Sequence, residues 1–133
     1  MDLIVLGWKP PSGTRQGLGS LVLGYHDPQG GLHYAGAVGT GFSERELRDL
    51  RRRLDVLACP PPTELLVAGD DPDRSIQWVR PELIVEVSFT SWSGEGRVRQ
   101  SVYLGLREDK SPAEVVLEVQ DPERPRRVVR PLK

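Results

Sequence analysis

Apolar and polar residues alternate along much of the chain in short runs that predict β-strands. The clearest run covers residues 76–92 and carries apolar side chains at every second position. These side chains are Leu83, Val85, Val87 and Phe89. Four further apolar-rich runs, at residues 3–8, 18–25, 31–38 and 97–106, end at turn-forming Gly, Pro, Asp or Ser residues. A short turn sequence joins the run at residues 18–25 to the run at 31–38, and another joins the run at 76–92 to the run at 97–106. These connections predict two hairpins.

One amphipathic helix is predicted between the two hairpins. Ser43 and Glu46 form a capping box, in which each side chain satisfies a free backbone N–H at the start of the helix. An apolar stripe follows at spacings of three and four residues and ends before Pro60. It consists of Leu47, Leu50, Leu54 and Leu57. The order β-β-β-α-β-β favours a five-stranded OB-fold barrel over a small β-sandwich or an SH3-like barrel, because of the helix at this position.

The remaining segments complete an all-β fold with a helix. Ser111 and Glu114 form a second capping box, with proline at the first helical position, and predict a short C-terminal helix over residues 113–119. Residues 59–75 are rich in Pro and Asp and predict a solvated excursion. Residues 121–133 are rich in Pro and Arg and predict a disordered tail, which leaves one domain over residues 1–120.

Composition restricts the partners that this domain could bind. The 133 residues contain 18 Lys and Arg against 19 Asp and Glu, so any nucleic-acid contact must use a local basic patch. The single cysteine, Cys59, cannot form an internal disulfide and favours a reducing cytoplasmic setting. No apolar run is long enough to span a bilayer, and we expect a soluble cytoplasmic protein. His26 and His33 lack neighbours at ligand spacing, so we expect no metal site.

Three stretches of the sequence are informative together: YAGAVGTGF at residues 34–42, WVRPELIVEV at 78–87 and GLREDK at 105–110. In this order they resemble the C-terminal OB-fold domain of bacterial ATP-dependent DNA ligases of the ligase D type. Each string is weak alone, but the combination is specific, and the resemblance extends over residues 2–118. It implies the activity of a DNA ligase in repair, recombination and non-homologous end joining. Nicked double-stranded DNA is the implied substrate, and Ku is a candidate partner.

The last stretch resembles the family's motif VI, Arg-x-Asp-Lys. By this resemblance Arg107 and Lys110 would contact the β and γ phosphates of ATP and orient pyrophosphate for departure during lysine adenylation. Asp109, between them, would hold either the Arg107 guanidinium or the neighbouring basic groups through charge-assisted hydrogen bonds. The ATP and Mg would be bound mainly by a separate nucleotidyltransferase domain. The adenylation motif Lys-x-Asp-Gly does not occur in the sequence, so we expect this chain alone to be inactive.

A second group of residues is predicted to contact DNA. Gly39, Thr40 and Gly41 would either present backbone N–H groups to a phosphate or only turn the chain into the helix. Many relatives carry a basic residue where this chain has Ala37, so a charge contact expected there is absent. The candidate basic patch consists of Arg15, Arg80, Arg97 and Arg99. Such contacts give affinity without base specificity, as nick sealing requires.

Two other classes of function remain open on the sequence. A stand-alone OB module would bind single-stranded nucleic acid without catalysis, with Trp8, Trp78 and Trp92 as candidate stacking platforms. Core packing is the expectation for Trp78, and Trp92, flanked by serines, is the best candidate for stacking. A protein-interaction domain would instead use the leucine stripe of the helix, which would then have to be exposed.

Overall fold

Ten β-strands and one α-helix form the regular structure in the part of the chain that the structure describes. The computed structural model describes residues 1–10, 18–60, 64–67, 75–92, 98–109, 111, 114–116 and 126–129. The helix, α1, covers Glu44–Val56 and lies between the third and fourth strands. The strands are β1 Asp2–Lys9, β2 Ser20–His26, β3 Leu32–Val38, β4 Glu64–Val67, β5 Gln77–Trp78, β6 Ile84–Ser88, β7 Ser91–Trp92, β8 Val98–Arg99, β9 Val102–Arg107 and β10 Arg126–Val129.

Most strands belong to one sheet that is built around β1. Its order is β10-β4-β3-β2-β1-β6-β9, and β5 adds a short pairing to β1. Strands β7 and β8 pair separately. The ladders are antiparallel except between β3 and β4, which meet at one parallel pair. The three N-terminal strands, the helix and the β6–β9 pair confirm the predicted order β-β-β-α-β-β.

The predicted closure of the five strands into a barrel is wrong. Strand β9 reaches the end of β3 through two hydrogen bonds, from the Ser101 hydroxyl to the Ala37 carbonyl at 3.1 Å and from the Tyr103 N–H to the Thr40 carbonyl at 2.8 Å. No ladder joins the two strands among the described residues. The free edge of β3 pairs with β4 instead, so β9 and the residue before it contact only the end of β3 and the turn that follows it.

Helix α1 forms as its sequence pattern predicts. The Glu46 N–H donates to the Ser43 hydroxyl at 3.1 Å, and the Ser43 N–H donates to the Glu46 carboxylate at 3.0 Å, which completes the capping box. The four leucines of the stripe are all buried, and each contributes roughly 1.5–3 kcal/mol of burial. Because the stripe faces the core, the structure contradicts an interaction surface made from it. Among the described residues, no helix is long and apolar enough to cross a membrane.

The predicted C-terminal helix is not present in the described residues. The Ser111 N–H donates to the Glu114 carboxylate at 2.7 Å, as in the predicted cap, but the chain then becomes extended. The Val115 carbonyl accepts a hydrogen bond from the His26 N–H at 2.9 Å, and Val116 forms a parallel bridge with His26. Val115 is only 4% exposed, so burial of a β-branched side chain beside β2 outweighs the helix-capping signal.

The segment predicted to be a solvated excursion contains a buried strand. Within it, Glu64–Val67 forms β4, with Leu65 and Val67 both buried. The prediction was wrong for these four residues, where a short apolar run, Leu65 to Val67, lies among Pro and Asp. Strand β4 pairs with Arg126–Val129, the one described part of the segment expected to be a tail. The rest of residues 121–133 lies outside the described residues.

A buried Asp–His pair stabilises the β2–β3 hairpin. The Asp27 carboxylate accepts hydrogen bonds from the N–H groups of Gln29 at 3.0 Å and Gly31 at 2.8 Å, and from His33 Nε2 at 2.6 Å. His33 stacks on Tyr25, with ring centroids 5.0 Å apart. Burial alone would raise the pKa of Asp27, but the hydrogen bonds and the charge of His33 outweigh it and lower the pKa. The sequence analysis did not find this pair.

We predict that Asp27→Asn destabilises the chain by roughly 2 kcal/mol at neutral pH, because it replaces a charged acceptor of three hydrogen bonds. The difference from wild type is complete above the ordinary Asp pKa of about 3.9 and disappears as the pH falls through the lowered pKa of the folded state. Urea unfolding from pH 7 to pH 3 measures it. Asp55→Asn, which removes an exposed pair with Arg51, is the control and should cost less than about 0.5 kcal/mol. Equal losses would contradict the prediction.

Candidate functional site

Arg107 lies at the end of β9 and is held by two carboxylates. Its Nε donates to Asp109 Oδ1 at 3.1 Å and its Nη2 donates to Asp109 Oδ2 at 3.0 Å, a bidentate pair. Its Nη1 lies 3.4 Å from Oδ1 of Asp2, the first residue of β1. The predicted contact between Asp109 and Arg107 is therefore present. Asp2 was not predicted, because the two residues are distant in sequence and only sheet pairing brings them together.

The electrostatics of this group favour a permanently charged guanidinium. The hydrogen bonds and charge of Asp109, followed by the charge of Asp2, raise the pKa of Arg107 above its ordinary value. The Arg107 side chain is 33% exposed, so it remains accessible to a ligand. Asp109 accepts hydrogen bonds from Nε and from one N–H of Nη2. Nη1 and Nη2 each carry two hydrogens, so each can donate one further hydrogen bond to another acceptor. This arrangement suits the binding of an anion at the strand end.

Glu108 connects the same strand end to helix α1. Arg53 Nη1 donates to Glu108 Oε1 at 3.2 Å, and Arg53 Nε donates to Asp49 Oδ2 at 3.1 Å. The hydrogen bond with Asp49, together with the Asp49 and Glu108 charges, raises the pKa of Arg53. Glu108 is 72% exposed, as expected for a solvent-facing residue, but its ion pair with Arg53 was not predicted. No local sequence signal connects these positions.

The turn at residues 39–41 packs against β9. The Thr40 hydroxyl donates to the Ser101 carbonyl at 3.2 Å, and the Thr40 carbonyl accepts from Tyr103. Gly41 has a φ of +96°, and a Cβ placed there would lie 2.5 Å from the Tyr103 carbonyl oxygen. The structural interpretation of Gly41 therefore has direct support. Thr40 and Gly41 are exposed, and their contact with a DNA phosphate stays a prediction.

Tyr103 is the residue that this turn covers. Its ring stacks on Phe42, with centroids 4.5 Å apart. Burial, followed by the nearby Glu46 and Asp49 charges, raises the pKa of Tyr103 to about 12. The phenol is consequently neutral at physiological pH. Tyr103 thus fixes the turn and the start of α1 to the strand that ends in Arg107.

Of the predicted basic patch, the described side chains include only Arg80. It is exposed, its Nε lies 3.3 Å from a Glu82 carboxylate oxygen, and its backbone N–H donates to the Leu57 carbonyl at 2.9 Å. Arg15, Arg97 and Lys110 lie outside the described residues. Arg99 belongs to β8, but its side chain is not described. The clustering of the patch is therefore still a prediction.

Two of the three tryptophans are covered by protein. Trp8 is 8% exposed, and the Arg51 guanidinium lies 4.1 Å from the centre of its ring. Trp78 is half-buried and packs against the core, as predicted. The side chain of Trp92 is outside the described set. Trp8 therefore has little exposed surface for base stacking, whereas Trp78 keeps part of its side chain at the surface.

Comparison with known proteins identifies the family. Residues 14–110 match the family described as ATP dependent DNA ligase C terminal region. The chain belongs to this family. It is 44% identical over 119 residues to the multifunctional non-homologous end joining DNA repair protein LigD of Mycobacterium tuberculosis, covering 88% of this chain and 15% of LigD. It is 39% identical over 116 residues to LigD of Pseudomonas aeruginosa, covering 86% and 14%.

Solved structures extend this similarity to the fold. The ligase domain of M. tuberculosis LigD superimposes with a TM-score of 0.73 at 41% identity, over 88% of this chain and 38% of that one. A mycobacterial DNA ligase D complexed with ATP and MES gives a TM-score of 0.69 at 41% identity, over 88% and 37%. The chain is thus the C-terminal OB region of an ATP-dependent DNA ligase, homologous to the LigD ligase domain. It spans less than two-fifths of either solved chain.

We predict that Gly41→Ala destabilises this ligase region by at least about 2 kcal/mol, because it combines an unfavourable positive φ with a clash against the β9 backbone. Gly30→Ala is the matched control, since Gly30 also has a positive φ, +87°, but no atom within 4 Å of an added Cβ. It should cost about 1 kcal/mol. Thermal unfolding of both variants measures the difference, and equal costs would refute the packing role of Gly41.

Proposed function

We propose that this chain is the OB-fold part of a LigD-type ligase and closes over ATP through Arg107, Asp109 and Lys110 during lysine adenylation. The observation that carries the proposal is the guanidinium of Arg107, accessible at a strand end and oriented by carboxylates on two sides. Membership of the ligase family supports it. So does the similarity to a ligase D that was solved as a complex with ATP.

The charges at this strand end fit the proposed chemistry. Pyrophosphate departs with several negative charges, and fixed cationic donors stabilise the charge that develops on it. Arg107 can present its outer N–H groups to phosphate oxygens while Asp109 keeps the guanidinium plane fixed. Lys110 would add a second cation next to Asp109. The proposed division of labour is that Arg107 and Lys110 bind phosphate and Asp109 positions Arg107.

The remaining parts of the active site would be supplied by a nucleotidyltransferase domain. That domain would contribute the lysine that becomes adenylated and most of the contacts to ATP and Mg. The described residues bring together no group of three or more His, Cys, Asp or Glu side chains that could hold a metal ion. The isolated chain would be inactive in ligation, since it has no Lys-x-Asp-Gly motif.

For the sealing step we propose that the domain turns and places another surface on nicked duplex DNA. Arg80, with Arg15, Arg97 and Arg99, would contact phosphates, and residues 39–41 would approach the backbone closely. The biological setting would be non-homologous end joining, the process that the names of the LigD relatives state for those proteins. We further propose a bacterial cytoplasmic location and Ku as a candidate partner, on the family resemblance alone. The alternative, a single-strand-binding module, is less favoured because the chain belongs to the ligase family and Trp8 is buried.

We predict that adding this chain to the nucleotidyltransferase domain of M. tuberculosis LigD stimulates adenylation, and that Arg107→Ala lowers the stimulated rate by about 100-fold, since it removes a donor to the leaving group. Lys110→Ala should also abolish the stimulation. Transfer of labelled AMP from ATP to the partner domain measures the rate.

The control for this experiment is Arg45→Ala, which removes an exposed arginine near the start of α1, outside the Arg107 group. It should leave the rate within twofold of wild type. Undiminished adenylation by both the Arg107 and the Lys110 variant would sink the assignment of motif VI.

We predict that Arg80→Ala weakens binding to nicked duplex and reduces the salt dependence of binding by about one released counterion. Glu82→Gln, which removes the carboxylate beside Arg80, should act in the opposite direction and strengthen binding. Fluorescence anisotropy at several salt concentrations measures both, with single-stranded DNA as a comparison. If neither variant shifts duplex affinity, Arg80 is not a DNA contact. Tighter binding to single strands would favour the module without catalysis.

A further inference from the structure

Asp2 holds a distinct position among the residues around Arg107. It is the first residue of β1, an interior strand of the sheet, and its side chain is only 13% exposed. In the ladders Asp2 pairs with Glu86 of β6, and Ile84 of β6 pairs with Arg107 of β9. The carboxylate of Asp2 therefore reaches across β6 to the guanidinium of Arg107.

The two carboxylates that hold Arg107 differ in how they are attached to the protein. Asp109 follows Arg107 by two residues, just past the end of β9, and its side chain is 69% exposed. It moves with the strand end that carries Arg107 and so sets only the plane of the guanidinium. Asp2 is fixed by pairing on β1, and among the described residues it is the hydrogen-bond and ion-pair partner of Arg107 that comes from another strand. Asp2 is therefore placed to set the direction of Arg107 relative to the sheet.

The length of the contact is consistent with this role. At 3.4 Å the Nη1–Oδ1 separation is longer than a usual N–H···O hydrogen bond, so Asp2 acts mainly as a charge partner. A partner of this kind attracts the guanidinium without fully occupying Nη1. The bidentate pair with Asp109 is shorter, at 3.0 and 3.1 Å. An incoming phosphate oxygen can thus bind Nη1 without first displacing a strong hydrogen bond.

We propose that Asp2 is a positioning residue for adenylation, which directs the Arg107 guanidinium from the rigid sheet toward the phosphates of ATP. The proposal rests on the proposed function of Arg107 in motif VI. Asp2 touches neither ATP nor the reacting lysine in this scheme, and its effect passes entirely through Arg107.

The test is a double-mutant cycle in the adenylation assay with the M. tuberculosis nucleotidyltransferase domain. Asp2→Asn keeps the size of the side chain but removes its charge, and should lower kcat about fivefold while the KM for ATP changes less than twofold. In an Arg107→Ala background the same change should have no further effect. Asp2→Glu, which keeps the charge, should retain at least about half of the wild-type rate.

A matched control separates this pairing from general loss of negative charge. Glu86→Gln removes the neighbouring carboxylate on β6, which is near Arg107 but makes no direct contact with it, and should leave kcat within twofold. The melting temperature of Asp2→Asn should stay close to that of wild type, which the same samples measure by thermal unfolding.

Each outcome distinguishes the two proposals. If Arg107→Ala lowers adenylation and Asp2→Asn does not, the role of Asp2 is refuted and that of Arg107 stands. If Arg107→Ala has no effect, the proposed function itself fails. An equal loss from Asp2→Asn in the presence and absence of Arg107, or an equal loss from Asp2→Glu and Asp2→Asn, would make Asp2 a structural residue and overturn the inference.

Discussion

The pairing of strand β1 on both of its edges is the constraint on which the rest of the structure depends. Residues Leu3 to Leu6 are almost completely buried, and β1 joins β2 on one side and β5 and β6 on the other. An apolar strand of this kind has to be covered on both faces, which fixes the positions of helix α1 and the flanking strands. The same pairing places Asp2 on β1 and Arg107 on β9 with only strand β6 between them. Stability of the core and geometry of the site thus share one element.

The candidate site is built on the Arg107 guanidinium, whose positive charge is balanced by nearby carboxylates in the absence of a ligand. Two carboxylates surround Arg107, and a third, Glu108, pairs with Arg53 of α1. Such pairs are weak contributors to stability when they are exposed, so their value lies in orientation. An arginine whose plane and direction are fixed loses less conformational entropy when it binds phosphate. This property suits a domain that closes transiently on a nucleotide held elsewhere.

The turn at residues 39–41 shows how one segment can serve the fold and still be available for binding. Gly41 allows the chain to pass against the β9 backbone, where a side chain would clash with Tyr103. The Thr40 carbonyl and hydroxyl both bond to β9, yet Thr40 stays exposed. Because β9 ends at Arg107, this turn and the Arg107–Asp109 pair are supported by the same strand. A change in either is expected to alter the other.

Local signals in the sequence determined much of this protein. The capping box at Ser43, the leucine stripe and the alternation from Leu83 to Phe89 each depend on neighbouring residues, and helix α1 and strand β6 form where these signals predict them. The pairing of Arg107 with Asp109, two residues apart, was predictable for the same reason. The family followed from the order of three short strings, although their roles in binding remain predictions.

Tertiary structure decided the features that depend on residues distant in sequence. Strand β4 forms among prolines and aspartates because Leu65 and Val67 are buried in the sheet. Val115 lies beside β2 rather than in a helix, since its burial outweighs a local cap. The open edge that leaves the barrel unclosed, the Asp27–His33 pair and the contact of Asp2 with Arg107 all arise from strand register. Register is set by the packing of the whole sheet, and no local pattern encodes it.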